Sequence, residues 1–142
     1  MSWGDVDYMF VDMPPDISDV PLTVFQSLPV DGIIVVISPQ ELVGMIVEKA
    51  VKMASMTDTP VWGLVENMAY FEYHDCHQKH KIFGGSHIDE LVARHGIEAA
   101  AQLPINPELA VASDQGGIAM VDISDWLDSL TAFIEARHSV KQ

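Results

Sequence analysis

The sequence predicts a single α/β domain over residues 1–142, built as an incomplete doubly wound parallel sheet of about four strands with flanking helices. Three observations support this fold class. Apolar runs at residues 6–12, 32–37 and 61–65 lack strict apolar–polar alternation, which is typical of strands buried on both faces. Helical patterns separate the runs, as in a parallel sheet with crossover connections. The length suits one domain and is too short for two ordinary ones.

Prolines and β-branched residues define the first elements. Pro14 and Pro15 follow the run at residues 6–12 and exclude both a helix and a central strand, so a fixed loop is predicted there. A short helix is predicted over residues 21–28, with a proline in its first turn. The β-branched run at residues 32–37 is the clearest buried strand of the chain.

A longer helix is predicted between the second and third strands. Ser38 is its N-cap and Pro39 its first residue, and the apolar stripe continues to about Met56. The third strand covers residues 61–65. Residues 69–83 contain aromatics, histidines and a cysteine but no clear period, which predicts a long loop or an irregular insertion.

The last third of the chain predicts shorter elements. Ser86 and Gly96 bound a helix, because serine is favoured at the N-cap and glycine just after the last helical residue. A weak fourth strand, a turn, a short helix and a final amphipathic helix follow, at residues 99–103, 104–107, 108–113 and from 124 towards 137.

Composition excludes several classes of function. Seven Lys and Arg against 21 Asp and Glu give a net charge of −14, while 49% of residues are apolar, which predicts a buried core instead of a disordered acidic tail. The acidity argues against nucleic acid and anionic membranes as partners, because both require clustered basic residues. No apolar run reaches the ~18 residues of a membrane span. Cys76 is the single cysteine and no signal sequence is visible, which predicts a cytoplasmic protein.

The position of the first strand raises a further expectation. It begins at Val6, close to Met1. A strand that is apolar on both faces must lie between other strands. We therefore expect other structure to precede it, so that the chain is the C-terminal part of a larger fold.

Polar or turn-forming residues follow each predicted strand. They are Asp12, Ser38, Asn67 and Pro104. In parallel α/β sheets, ligands bind outside the carboxyl ends of the strands. The sequence therefore predicts a nucleotide-like site at this edge of the sheet.

Several short motifs occur in one order along the chain. They are DMPP at 12–15, VISPQ at 36–40, GLVENM at 63–68, IFGG at 82–85, and LPINPEL at 103–109 followed by DQG at 114–116. This series resembles the Mrp/ApbC-type ATPases, which are P-loop proteins related to MinD and ParA that carry iron–sulfur clusters during cluster assembly. The resemblance extends from Trp3 to about residue 135 and implies ATP, Mg²⁺ and an iron–sulfur cluster as ligands.

The resemblance implies roles for three residues. Asp12 matches the acidic residue that holds Mg²⁺ through water beside the phosphates, which suits a hard cation. Asn67 matches the asparagine that reads the adenine edge, for which an amide supplies a donor and an acceptor. Pro104 matches the loop whose backbone lines the base. Without the resemblance, Asp12 reads as a strand-end turn residue and Asn67 as an Asx-turn residue.

Two departures concern the phosphates. The family has a Gly-rich phosphate loop that ends in Gly-Lys-Ser/Thr, whereas none of the five lysines here follows a glycine. The chain alone is therefore predicted not to hydrolyse ATP, because phosphoryl transfer requires lysine and backbone donors around the phosphates. The family usually has glycine after the second proline of the switch loop, but this chain has Asp16, whose carboxylate repels an anion.

A third departure concerns the cluster. The family has Cys-x-x-Cys shortly after Glu-Asn-Met, and a dimer pools two such pairs to hold one cluster. In this chain Tyr73 occupies the first cysteine position and Cys76 the second. Two thiolates per dimer are fewer than the four that such a cluster prefers.

The same loop offers other metal ligands: His74, Cys76, His77 and His80. Thiolate and imidazole together suit Zn²⁺, and two chains could close a tetrahedral site of two cysteines and two histidines. The alternative is a polar surface loop with solvated histidines, left after loss of the cluster.

Three hypotheses for function remain open. The first is the C-terminal half of an Mrp/ApbC-like carrier, acting as a homodimer or with a separately encoded N-terminal half and with iron–sulfur assembly partners. The second is an oligomeric structural or zinc-binding protein without a nucleotide. The third is a fragment of a longer ATPase. The gene sequence preceding Met1 distinguishes them.

Overall fold

The structure is a computed structural model that describes residues 4, 6–13, 19–39, 43–73 and 75–140. The helices are α1 (Asp19–Ser27), α2 (Val43–Met56), α3 (Ile88–His95), α4 (Pro107–Asp114) and α5 (Ser124–Val140), with a 3₁₀ turn at Ile118–Met120. The strands are β1 (Ile33–Ile37), β2 (Val61–Glu72), β3 (Lys79–His80) and β4 (Ala99–Pro104). Of the helices within these ranges, none combines the length and apolar character needed to cross a membrane.

The sheet is centred on β2. β1 and β4 pair with it in parallel on its two sides, and the two-residue β3 pairs antiparallel with its far end at Phe71 and Glu72. β1, with the sequence IIVVI, is a continuous apolar run, but its two faces are covered unequally, because Val35 and Ile37 are buried whereas Val36 is exposed. The predicted α/β class with a mainly parallel, doubly wound sheet is confirmed.

Helices cover both faces of the sheet. On one face α2 and α3 pack on Leu64, which is fully buried, through side chains that include Val47 and Leu91. On the other face α5 packs on Val65 through Leu130. Leu64 and Val65 are neighbours on β2 and point to opposite faces, so each of these two cores is built from alternate residues of the same strand.

The predicted first strand is wrong. Residues 6–13 form neither strand nor helix, and their apolar side chains are exposed, with Val6 54% and Phe10 74% accessible. Apolar patterning shows which residues favour a buried strand, but a strand also needs a neighbour for its hydrogen-bond ladder. In the part of the chain that the structure describes, β1 pairs only with β2, and Val36 on β1 is itself 62% accessible.

The predicted loop over residues 69–83 is only partly a loop. β2 continues through Glu72, and a tight turn returns the chain as β3. Tyr73 closes this hairpin, because its N–H donates to the Gln78 carbonyl at 3.2 Å and its carbonyl accepts from the His77 N–H at 2.9 Å. Two of the aromatics of this segment, Tyr70 and Phe71, are thus strand residues, which the lack of a period concealed.

The other predicted elements are present. α1, β1, β4, α4 and α5 lie within a few residues of their predicted bounds, and α3 ends at Gly96, which has the left-handed φ of 63° that glycine favours. The predicted start of the long helix falls partly outside the described residues, at 40–42; its described part, α2, ends at Met56 as predicted.

The close approach of α5 to the sheet depends on Gly63. A Cβ added there would lie 2.5 Å from Leu130 Cδ1, and Leu130 is itself buried. We expect Gly63→Ala to lower the free energy of unfolding by about 1–3 kcal/mol through overpacking. Urea unfolding followed by circular dichroism measures this.

Gly44→Ala in α2 is the matched control, because its added Cβ would meet nothing closer than Leu91 Cδ2 at 4.0 Å. We expect this variant to be more stable than the parent, by up to about 1 kcal/mol, through helix propensity. Equal stability of the two variants would contradict the packing of α5 described above.

Candidate functional site

A bulge in β2 shapes the carboxyl end of the sheet. Glu66 pairs with Gln102 of β4, but the next pair is Tyr70 with Pro104, so residues 67–69 stand opposite Leu103 alone. Met68 takes up the extra length with a left-handed φ of 57°. The bulge breaks the regular ladder and exposes Asn67 and Met68 at the strand end.

The loop after β4 is held beside this bulge. Pro104 is buried, and the Ile105 N–H donates to the Tyr70 carbonyl at 2.7 Å. Asn106 then caps α4, since its side-chain oxygen accepts from the Glu108 N–H at 2.8 Å. The structure therefore brings two of the predicted site residues, Asn67 and Pro104, to the same edge of the parallel sheet.

The side chain of Asn67 is oriented by its own backbone. Its Oδ1 accepts from the Met68 N–H at 2.9 Å, and the residue is exposed. This local bond is to the next residue in the chain, whereas an Asx turn bonds to the residue two positions on. The bond uses one lone pair of the amide oxygen and leaves the amide NH₂ as a donor, so the orientation is compatible with reading the edge of a base.

Asp12 is not among the predicted site residues that the structure brings together. It is exposed, within residues 6–13, which form neither strand nor helix, and no described contact joins it to Asn67 or Pro104. The predicted switch loop that follows, residues 14–18, lies outside the described residues.

A buried polar network, which the sequence analysis did not predict, adjoins the bulge. Glu66 is 1% accessible, and its Oε2 accepts from Ser86 Oγ at 2.6 Å and from Gln102 Nε2 at 2.6 Å. Gln102 Nε2 also lies 2.9 Å from Ser86 Oγ. The Ile88 N–H donates to Ser86 Oγ at 3.3 Å, so the network joins β2, β4 and the start of α3. A polar residue inside an otherwise apolar strand was the signal available for Glu66.

The predicted metal ligands lie on and beside the β2–β3 hairpin. Cys76 is exposed in the turn. His77 follows it and is engaged by Glu72, with Nδ1 and Oε1 2.9 Å apart. His80 is on β3, with its ring 5.0 Å from that of Tyr73 in an edge-to-face contact. His74 lies outside the described residues.

The hairpin as described is not a closed metal site. Within residues 4, 6–13, 19–39, 43–73 and 75–140, no group of three or more His, Cys, Asp or Glu side chains converges as a metal-binding set. Cys76, His77 and His80 belong to one hairpin but do not form a complete ligand sphere. Additional ligands would have to come from elsewhere.

Comparison with known proteins identifies the family. A family model described as ParA, NUBPL iron-transfer P-loop NTPase, matches residues 1–137 of the chain. The chain belongs to this family. The predicted resemblance to Mrp/ApbC-type ATPases is thereby confirmed.

Relatives in the NUBPL-type family are iron–sulfur proteins by name. An iron–sulfur cluster carrier protein of Clostridium perfringens is 40% identical over 114 residues, which are 80% of this chain and 40% of the relative. The mouse iron–sulfur cluster transfer protein NUBPL is 35% identical over 116 residues, 82% of this chain and 36% of the relative. The chain thus spans about two fifths of the length of these curated relatives.

A solved structure extends the comparison to three dimensions. The nucleotide-binding protein of Archaeoglobus fulgidus, in complex with ADP and with cobalt found by PIXE, superposes with a TM-score of 0.66 at 42% sequence identity. The match covers 71% of this chain and 42% of that protein. The fold described above is therefore similar to part of the fold of that nucleotide-binding protein.

The buried network generates a stability prediction. We expect Glu66→Ala to lower the free energy of unfolding by about 1–3 kcal/mol, because the Ser86 and Gln102 donors lose their shared buried acceptor. Glu66→Gln should cost roughly 1 kcal/mol or less, since its amide oxygen can accept both bonds at the position of Oε2. Urea unfolding of the purified variants measures both values.

The control is Glu48→Ala, which removes an exposed carboxylate from α2 and should change stability by about 0.5 kcal/mol or less. If Glu66→Ala unfolded at the same urea concentration as this control, the network would have no structural role.

Proposed function

We propose that this chain provides the base-recognising side of the nucleotide site of an iron–sulfur cluster carrier. The observation that carries the proposal is the bulge at residues 67–69 beside the loop that begins at Pro104. Two sites predicted from separate motifs adjoin there, at the strand ends where α/β sheets bind ligands. The ADP complex of the Archaeoglobus fulgidus relative supports a nucleotide as the ligand class.

Within this proposal Asn67 and the backbone after Pro104 contact adenine, and Asp12 acts through water on a Mg²⁺ ion that accompanies the phosphates. The Asn67 amide supplies the donor and acceptor that the adenine edge requires. The phosphates need a different source of binding energy, because none of the five lysines in residues 1–142 follows a glycine. A separate phosphate-binding segment therefore completes the site, and hydrolysis requires it.

This division of the site predicts how the chain binds nucleotides. We expect adenosine and ADP to bind with similar, weak affinities, because the base supplies the contacts and the phosphates add little. Asn67→Asp, which keeps the shape of the side chain but removes the NH₂ donor, should weaken adenosine binding about 2–10-fold. Calorimetric titration at 25 °C measures the affinities, with guanosine as the ligand control.

Hydrolysis provides the second measurement on the same samples. The chain should release phosphate from ATP no faster than buffer does. The proposal is contradicted by ADP binding far tighter than adenosine, or by turnover that copurifies with the chain and disappears in Asp12→Ala.

We further propose that the β2–β3 hairpin holds the metal cargo. Cys76 is the exposed thiol at its turn, His77 and His80 supply imidazoles of the hairpin, and His74 is a further histidine of the same stretch of sequence. One chain offers one thiolate, so a homodimer would pool two cysteines with two histidines. This donor set suits tetrahedral Zn²⁺ better than an iron–sulfur cluster held by four cysteines.

Metal content tests the hairpin assignment. After zinc loading and desalting, we expect about one zinc ion per two chains, and Cys76→Ala should lose most of it. His87→Asn is the matched control, because it removes an exposed histidine beyond the hairpin and should keep the zinc of the parent. Zinc per chain is measured by mass spectrometry, and the mass of the loaded protein by light scattering.

Two results would contradict the assignment. Unchanged zinc content in Cys76→Ala would exclude the hairpin as the site. A brown, oxygen-sensitive chromophore with four irons per two chains, formed with iron and sulfide, would exclude the preference for zinc.

A further inference from the structure

A cleft of about 480 Å³ lies along the outer edge of β4. Its lining includes Ala100 and Gln102 of β4, Asp89 in the first turn of α3, and Asp125 in the first turn of α5. α3 and α5 pack on opposite faces of the sheet. Both helices can line one cleft with β4 only where the sheet ends, so the cleft exposes a strand edge.

The hydrogen bonds of β4 show which of its backbone groups face the cleft. The Ile105 N–H donates to the Tyr70 carbonyl of β2, so odd-numbered residues of this strand direct their N–H and C=O groups towards β2. Because these directions alternate along a strand, Ala100 and Gln102 direct theirs away from β2. Among the described strands β4 pairs only with β2, so no strand meets these outward groups.

A side chain is hydrogen-bonded to one of the backbone groups that point away from β2. The Ser129 hydroxyl of α5 donates to the Ala100 carbonyl at 3.2 Å, and Ser129 is exposed. In a sheet this carbonyl would accept from the N–H of the next strand. The hydroxyl thus takes the place of a strand donor, and an incoming backbone could displace it.

The charges around the cleft are mainly negative. Glu72, Asp89 and Asp125 contribute carboxylates, and Lys79 is the one basic residue of the described lining. The Lys79 ammonium lies over the Tyr70 ring, 4.4 Å from its centroid. Three carboxylates against one lysine select for a cationic ligand.

We propose that the β4 edge binds an extended, basic segment of a partner protein, which adds to the sheet as a further strand. Backbone hydrogen bonds to Ala100 and Gln102 supply the affinity, as in other cases of strand addition.

The positions of the carboxylates define the segment further. Asp89 and Asp125 belong to helices on opposite faces of the sheet, and neighbouring residues of a strand point to opposite faces. Two consecutive basic residues would therefore address both carboxylates. A second copy of this chain is a poor occupant, because its net charge is −14 and its sequence has no two adjacent Lys or Arg residues.

Calorimetric titration with a synthetic peptide at low salt tests the proposal. The probe is acetyl-Thr-Val-Lys-Lys-Val-Thr-amide. Its isomer acetyl-Thr-Lys-Val-Lys-Val-Thr-amide places both lysines on one face and should bind roughly 2–5-fold more weakly. The probe methylated at alternate backbone nitrogens keeps its charge but loses its donors, and should bind at least about tenfold more weakly.

Variants of the chain test one carboxylate of the cleft and the hydrogen bond at the strand edge. Asp125→Asn should weaken binding roughly 2–5-fold, whereas the control Asp128→Asn, on the same helix but outside the cleft lining, should not. Ser129→Ala should strengthen binding roughly 2–5-fold, because the peptide N–H no longer has to displace the Ser129 hydroxyl from the Ala100 carbonyl.

Several results would overturn the proposal. They are the absence of probe binding, equal binding of the probe and its methylated form, and equal weakening of probe binding by Asp125→Asn and Asp128→Asn. Unchanged or weaker binding to Ser129→Ala would exclude strand addition at Ala100. A dimer of the chain that the peptide dissociates would show that a second copy occupies this edge.

Discussion

The hydrogen-bond ladder between β2 and β4 sets the geometry of the carboxyl end of the sheet. It is regular as far as Glu66 and Gln102, and it resumes only at Tyr70 and Pro104. The extra residues of β2 must leave the ladder there, and they leave it at the edge where a parallel sheet binds ligands. Asn67 is exposed because of this irregularity. The backbone after Pro104 is fixed because Pro104 pairs with Tyr70, where the ladder resumes.

The buried network beside the bulge keeps the interruption local. Glu66 stays inside because Ser86 and Gln102 donate to its carboxylate, and without them a carboxyl group at this depth would be costly. Ser86 also accepts from the Ile88 N–H at the start of α3. The same contacts that satisfy Glu66 therefore connect the bulge to the start of α3.

The elements that the sequence predicted correctly are those determined by residues close together in the chain. Gly96 ends α3 because glycine accepts a left-handed φ, and β1 is visible as a β-branched run, since both signals lie within a few residues. The bulge and the Glu66 network depend on partners 16 to 36 residues away, so no local pattern contains them. The β3 return pairs residues that are much closer, Glu72 with Lys79 and Phe71 with His80, but its two-residue strand is too short to show an alternation. The strand predicted at residues 6–12 is wrong because an apolar pattern specifies burial but does not specify the neighbouring strand that burial requires.

The proposed separation of base recognition from phosphate chemistry agrees with the distribution of basic residues in this chain. Phosphoryl transfer needs positive charge held around the phosphates. Arg94 is paired with Glu90, Arg137 with Glu98, and Lys79 lies over the Tyr70 ring. With those three engaged elsewhere, the remaining basic residues are Lys49, Lys52, Lys81 and Lys141. Lys49 and Lys52 lie on α2, Lys81 follows the hairpin, and none of the four follows a glycine. In the proposed function, the Asn67 amide recognises a neutral base, which does not require such charge.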